Sequence, residues 1–121
     1  MRIDRFEDIE SWKEARLLVR DIYRPLQSCK DFGFRDQVQR ASISVMANIA
    51  EGFDRASNRE FVQFLVIARG SVSEVKSLSY AGLDLGYFDE ETFTTISVRC
   101  VKLINLLNGF IRLLKSAERR G

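Results

Sequence analysis

Apolar side chains recur every three or four residues through most of the chain, which is the spacing of one face of an α-helix. The first such segment predicts a helix whose N-cap is Asp8. Pro25 has no backbone N–H and disfavours helical geometry at the residue before it, so this helix should end or kink near Arg24. A loop is expected at residues 28–33. The apolar face of this helix is Trp12, Ala15, Val19, Ile22 and Leu26.

The second helical segment is rich in alanine and serine between its apolar positions. Small side chains let neighbouring backbones approach closely, so we expect this helix to pack tightly against its neighbours. Its predicted inner face is Val38, Ser42, Val45, Ile49 and Gly52.

The third and fourth segments begin with capping signals. Ser57 and Glu60 have the spacing of a capping box, in which each side chain accepts a hydrogen bond from the other residue's backbone N–H. Gly86 is placed to end the third helix in a left-handed conformation, and Asp89 is placed to cap the fourth. The third helix has the apolar face Phe61, Phe64, Ala68, Ser71, Val75, Leu78, Gly82 and Leu85. The fourth has the face Phe93, Ile96, Cys100, Leu103, Leu107, Phe110 and Leu114.

Helices joined by short connections lie antiparallel to their neighbours in sequence. The sequence therefore predicts an all-α protein, an up-down-up-down antiparallel four-helix bundle, with one domain over residues 1–121. The apolar arc of the fourth helix, which includes Leu106 and Leu113, is wider than one core-facing side needs. Leu17 points away from the core stripe of the first helix, and Gly70 in mid-helix suggests close approach of another helix or subunit. These features predict a homo-oligomer.

The composition excludes several kinds of chemistry. The chain has no histidine, and its two cysteines, Cys29 and Cys100, fit no metal-binding or disulfide spacing. The usual general base and the commonest transition-metal ligand are therefore missing, and no phosphate-binding glycine loop or serine nucleophile motif is present. Only an enzyme built on carboxylates or arginines alone fits this composition, and no two acids are placed for acid–base work. We expect no enzymatic activity, no catalytic residue, no cofactor and no metal.

The apolar segments and the first ten residues lack targeting signals. No apolar stretch approaches the length of a membrane span, and the sequence MRIDRFEDIE is too charged for a secretory signal peptide. We therefore expect a cytoplasmic protein with no membrane contact.

The net charge is +2, from 19 basic and 17 acidic residues, but the charges are unevenly placed. The excess of cations lies in residues 87–121, which include Arg99 and Lys102. On the first helix, Lys13, Arg16, Arg20 and Arg24 form one strip and Glu10, Glu14 and Asp21 form the next. Segregated cations suit contacts to phosphates. The alternatives are a solvated or ion-paired face on the first helix and matching of the helix dipole in the fourth.

A polar stripe follows the second helix, with members Arg40, Ser44, Asn48, Glu51 and Arg55. One interpretation is a line of contacts to a ligand or RNA; the other, which we favour, is a network between helices or subunits with Glu51 paired to Arg55. The candidate nucleic-acid contacts are Lys13, Arg16, Arg20, Arg24, Arg40, Arg55, Arg112, Lys115 and Arg119. The candidate subunit contacts are Leu17, Asn48, Glu51, Gly70, Leu106 and Leu113.

Three segments together resemble a known family. Residues 6–15 are similar to its first-helix signature F-x-D-L-x-x-W-x-x-A, and residues 37–55 to its core Q-x-R-R-A-x-x-S…N-I-A-E-G-x-x-R. Phe61, Phe64, Leu65 and the residues up to Glu74 match its third helix, and residues 85–87 its exit turn. The chain thus resembles the four-helix-bundle proteins encoded within intervening sequences of bacterial large-subunit ribosomal RNA genes.

The resemblance implies a cytoplasmic bundle, a ring-shaped homopentamer and no established enzymatic activity. A related branch, the accessory protein of diversity-generating retroelements, binds nucleic acid and a reverse transcriptase, but that branch is strongly basic. Two departures stand out: Gln39 replaces a second arginine, and Met46 and Ala47 replace a proline and a serine. The first removes a cation from a candidate contact surface, and the second removes a helix kink.

Two functions of different classes fit these observations. The first is a non-enzymatic oligomeric bundle that binds structured RNA or another nucleic acid through arginine-rich faces, by phosphate contacts rather than base reading. The second is a protein–protein scaffold or assembly module with no nucleic-acid role, in which the charges serve assembly.

Overall fold

The computed structural model describes the backbone of residues 2–120 and the side chains of residues 2–117. Its four helices are α1 (Glu10–Tyr23), α2 (Phe32–Phe53), α3 (Asn58–Asp84) and α4 (Glu90–Arg120). Short 3₁₀ turns, Phe6–Asp8 and Arg24–Leu26, flank α1, and the described residues contain no strand. Each helix packs against the next in sequence, and α4 packs against α1. The predicted all-α, antiparallel four-helix bundle is confirmed.

The helix ends follow the local chemistry of the sequence at most positions. α1 ends at Tyr23, two residues before Pro25, as expected. Asp89 caps α4 by accepting the Thr92 N–H at 2.7 Å, and Gly86 has φ +78° after the end of α3. Ser57 accepts the Glu60 N–H at 3.2 Å, which is one of the two hydrogen bonds of the predicted capping box.

Two boundaries differ from expectation. Asp8 does not cap α1: it lies in the 3₁₀ turn Phe6–Asp8, and the N-cap is Ile9, which makes no side-chain cap. The predicted loop at residues 28–33 is shorter because Asp31 caps α2 by accepting the Phe34 N–H at 3.2 Å. A side-chain cap thus starts α2 at Phe32, inside the segment expected to be loop.

The inner faces of the helices match the apolar pattern to different degrees. In α2 all five predicted positions are buried. In α1 the buried set is instead Ser11, Glu14, Ala15, Leu18 and Ile22, with Val19 half-buried. In α3 the buried set is shifted by one residue from the predicted face at several turns, to Leu65, Val72 and Ser79. Both helices are flanked by two neighbours, and the side chain nearest the bundle axis depends on where those neighbours lie.

Glycine permits two close approaches in the core. A Cβ at Gly52 would lie 2.8 Å from atoms of Phe61 and Phe64 on α3. A Cβ at Gly82 would collide with the Phe88 ring and lie 3.0 Å from the Phe34 ring. Phe88 is 1% exposed, so its ring occupies the space that a side chain at Gly82 would need. α2 therefore packs closely against α3 at Gly52.

Candidate functional site

An ion cluster joins α1 to α4. The Arg99 guanidinium donates to Glu14 Oε2 and to Asp21 Oδ2, each at 2.6 Å, and Lys102 Nζ donates to Glu14 Oε1 at 2.7 Å. The Glu14 and Asp21 side chains are only 11% and 18% exposed. The helical spacing predicted a strip of acids next to the cations of α1 but not the partners of Glu14 and Asp21, which lie 78 to 88 residues away.

The cluster holds Glu14 in its ionised form. Burial alone would raise the pKa of Glu14, but the hydrogen bonds and charges of Lys102 and Arg99 outweigh burial and hold the pKa below its ordinary value. Arg99 shows the matching effect: burial opposes its charge, while Asp21 and Glu14 raise its pKa. The four side chains therefore form a charge-balanced contact between α1 and α4.

The inward turn of Glu14 and Asp21 leaves a cationic surface on the outside of α1. We call Lys13, Arg16, Arg20 and Arg24 the α1 basic strip; all four are exposed. Lys13 lies 3.4 Å from Glu10, and the Arg16 guanidinium lies 5.9 Å from the centre of the Trp12 ring. Arg20 and Arg24 make no ion pair with any described residue. At about 1.5 Å per residue the strip is about 16 Å long.

The described basic side chains of α4 do not form one surface. Arg99 and Lys102 are engaged by the acids of α1. Arg112 and Lys115 are exposed further along the helix. The side chain of Arg119, also a candidate contact, lies outside the described residues. The cationic character expected of residues 87–121 is thus partly neutralised within the bundle.

The polar stripe of α2 forms a network with α3. The Ser44 and Ser71 hydroxyls are 3.0 Å apart, and the Asn48 amide donates to the Ser44 carbonyl and hydroxyl at 2.8 and 3.0 Å. The predicted ion pair between Arg55 and Glu51 is present at 2.9 Å, and the Arg55 guanidinium also lies 4.6 Å from the centre of the Phe64 ring. Of this stripe, Arg40 is exposed and lines a polar cavity of about 210 Å³.

The candidate subunit contacts fall into two groups. Asn48 and Glu51 are engaged within the protomer, as described above. Leu17 and Leu106 are half-buried, Leu113 is exposed, and a Cβ at Gly70 would meet nothing within 4 Å.

Several other apolar residues are exposed that were not among the predicted subunit contacts. They include Ile43 on α2, Ile67 on α3, and Val98 and Val101 on α4. Val98 is 64% exposed. The signal was available in the spacing of Val98 and Val101, which puts both on one face of α4 opposite the core residues.

Metal binding and thiol reactivity depend on the acidic and cysteine side chains of the described residues. They contain no group of three or more acidic or cysteine side chains arranged to hold a metal ion. Burial raises the pKa of the Cys100 thiol to about 12, so this thiol stays protonated at neutral pH. Within the described part of the chain, no helix is both long and apolar enough to cross a membrane.

Comparison with known proteins places the chain in a family. Residues 7–109 match the 23S rRNA-intervening sequence proteins. The chain belongs to this family. The resemblance drawn from its motifs is therefore confirmed. In this intervening-sequence family member the matched residues include α1, α2, α3 and most of α4.

One solved structure supports the fold of this family member. It is a protein of unknown function from the S23 ribosomal protein family of Bacteroides thetaiotaomicron, with 23% sequence identity and a TM-score of 0.78. The similarity covers 84% of this chain and 97% of that one. No curated protein matches the chain.

Proposed function

We propose that this protein is a non-enzymatic bundle that binds RNA, or another nucleic acid, by phosphate contacts through the α1 basic strip. The observation that carries the proposal is the turn of Glu14 and Asp21 toward α4. Because these acids are neutralised by Arg99 and Lys102, the cations on the outer face of α1 face solvent, and among the described residues only Glu10 forms an ion pair with one of them.

The geometry of the strip suits a phosphate backbone. Its residues are three or four apart, so successive cations are separated by about 4.5 to 6 Å along the helix. Three of the four are arginines, which contact phosphates in a bidentate manner. No exposed aromatic side chain interleaves with them, and Trp12 is half-buried beside Phe6. This arrangement favours backbone contacts over base stacking and predicts binding with little sequence preference.

Assembly would multiply the strip. α2 and α4 occupy opposite corners of the bundle, and each carries exposed apolar residues, Ile43 on α2 and Val98 and Val101 on α4. Two different patches fit a head-to-tail contact between copies, which closes into a ring when the rotation permits. A homo-oligomer, a pentamer by family resemblance, would present one strip per protomer on a common surface.

A salt titration tests the proposal. The protein is titrated against a labelled large-subunit ribosomal RNA fragment, and the affinity is followed as salt is raised. Replacement of Arg16, Arg20 and Arg24 by glutamine should weaken binding at least about tenfold at low salt and reduce the salt slope by about two to three. The matched control replaces Arg59, Arg112 and Lys115, which removes the same charge elsewhere and should leave most of the affinity.

The possible results of this titration distinguish binding through the α1 basic strip from binding elsewhere and from no binding. Absence of RNA retention by the unaltered protein at low salt would overturn nucleic-acid binding. Equal losses in the two variants would show that net charge alone matters and would remove the strip from the proposal. A larger loss in the control would move the contact to α4 and the start of α3.

A protein–protein scaffold is the second candidate, favoured by Val98 and Val101, which are 64% and 46% exposed on one face of α4. In that case the apolar face binds another protein and the strip only maintains solubility. A pull-down that recovers nucleic acid and no protein partner would count against it.

A further inference from the structure

An apolar cavity of about 350 Å³ lies between the N-terminal segment and the second half of α4. Its walls are formed by Ile3 and Ile9 on one side and by Leu106, Phe110 and Leu113 on the other. This volume falls within the range of about 300 to 1,000 Å³ that small-molecule sites occupy.

Gly109 keeps this cavity open. It lies in the wall, on the helix turn between Leu106 and Leu113. A Cβ at Gly109 would meet only the Arg112 guanidinium, at 3.9 Å, so the space beside the helix backbone is free. A glycine in mid-helix costs about 1 kcal/mol relative to alanine, and no core contact requires it here. The glycine therefore contributes open volume instead of close packing.

The charged groups that line the cavity are both carboxylates. Asp8 and Glu10 lie at its edge and are largely exposed, with Arg5 3.9 Å from the first and Lys13 3.4 Å from the second. The N-terminus of α1, with its partial positive charge of about half an elementary charge, lies beside them. Arg5 and Lys13 balance the two acids only through exposed ion pairs, which are weak enough for a bound cation to replace them. Ser11 also lines the wall, and its buried hydroxyl has no hydrogen-bond partner among the described residues.

We propose that this cavity binds a small amphipathic cation, with an apolar aromatic or branched aliphatic body and an ammonium group. The body fills the space beside Gly109 against Phe110 and the two leucines, where it is removed from water. The ammonium group lies at the edge, near the carboxylates of Asp8 and Glu10. This inference does not depend on nucleic-acid binding: the cavity approaches the α1 basic strip at Lys13, which lies 3.4 Å from Glu10, but no residue of that strip lines it.

A neighbouring cavity provides an internal comparison. It has a volume of about 470 Å³ and shares Ile3, Phe110 and Leu113 with the first. Its charged lining residue is Arg55, and Gly109 does not line it. An anion would therefore favour the second cavity, and a change at Gly109 would affect only the first.

Three ligands of one size test the proposal. The full-length protein is titrated by calorimetry and by NMR with 1-naphthylmethylammonium, 1-naphthalenemethanol and 1-naphthaleneacetate, which differ mainly in charge. The cation should bind at least tenfold more tightly than the anion, with shifts at Gly109 and Leu106. Gly109→Leu should weaken the cation at least tenfold, while Gly70→Leu, the same change at an open mid-helix glycine, should not alter binding.

A second variant keeps the test independent of folding. Asp8→Asn with Glu10→Gln changes two exposed side chains and should reduce the preference for the cation over the anion several-fold. Unchanged cation binding in Gly109→Leu, or equal binding of the three ligands to the unaltered protein, would overturn the proposal. Tighter binding of the anion, insensitive to Gly109→Leu, would place the ligand in the neighbouring cavity and would also overturn it.

Discussion

The Tyr87 hydroxyl donates a hydrogen bond of 2.8 Å to Asp31 Oδ2, across 56 residues of sequence. The other oxygen of the same carboxylate accepts the Phe34 N–H and caps α2. The Phe34 ring in turn lies 5.2 Å from Tyr87 and 5.9 Å from Phe88, measured between ring centres. One carboxylate therefore starts α2 and fastens it to the turn between α3 and α4.

Removal of the Tyr87 hydroxyl should change the titration of Asp31. The hydrogen bond from Tyr87 is the main cause of the lowered pKa of Asp31, followed by the Phe34 N–H. In Tyr87→Phe we expect this pKa to rise toward its ordinary value of 3.8, as measured by NMR titration of the carboxyl carbon. Tyr80→Phe is the control, because the Tyr80 ring packs on Phe93 and its hydroxyl bonds to no described side chain. An unchanged Asp31 titration would contradict this interpretation.

Glu14→Gln should destabilise the bundle by about 1 to 3 kcal/mol, because it leaves Arg99 and Lys102 without their shared carboxylate. Urea denaturation at pH 7 measures the free energy of unfolding. Glu10→Gln is the control, since Glu10 is 73% exposed and 3.4 Å from Lys13. This change should lower the free energy of unfolding by less than about 0.5 kcal/mol. Equal effects of the two changes would show that the α1–α4 cluster adds nothing beyond an exposed ion pair.

The same cluster predicts a pH dependence. Glu14 has a lowered pKa in the folded protein, so its contribution is present above its ordinary pKa of 4.5 and is lost as pH falls below that value. The difference in unfolding free energy between the unaltered protein and Glu14→Gln should therefore shrink between pH 5 and pH 3. A constant difference over this range would mean that the charge of Glu14 is not what stabilises the contact.

Two glycines of α3 should respond oppositely to alanine. Gly82→Ala should destabilise the protein by about 1 to 3 kcal/mol or more, because its methyl group would collide with the buried Phe88 ring. Gly70→Ala should stabilise it by about 1 kcal/mol, because Gly70 is exposed and a methyl group there meets nothing within 4 Å. Thermal denaturation of both variants checks the sign, and a similar shift in both would contradict the assigned packing.

The two cysteines should differ in reactivity. Cys100 is fully buried with a pKa near 12, whereas Cys29 is half-buried. At pH 8 a thiol reagent should label Cys29 in the native protein and reach Cys100 only on unfolding. In a Cys29→Ser variant the labelling of Cys100 can be followed alone. Labelling of both thiols at the same rate without denaturant would show that α4 is not packed as described.

Short-range features were the most predictable from sequence. The inner face of α2 was correct at all five positions, whereas the same three-or-four spacing in α1 and α3 gave the helix but not its exact rotation. The end of α1 before Pro25 and the cap at Asp89 depend only on neighbouring residues. The cap at Asp31 was missed although its bond to the Phe34 N–H is equally local; the bond that Tyr87 donates to the same carboxylate spans 56 residues and has no local signal.

The sequence by itself determined the four helices, their order and their apolar sides, since helical spacing and capping act over a few residues. Only the tertiary structure decided how each helix is rotated and which charges meet. Glu14 and Arg99 are 85 residues apart, and no local pattern distinguishes an acid that faces a partner from one that faces water. The α1 basic strip is free of its neighbouring acids for that reason: packing against α4, a long-range contact, turns Glu14 and Asp21 inward.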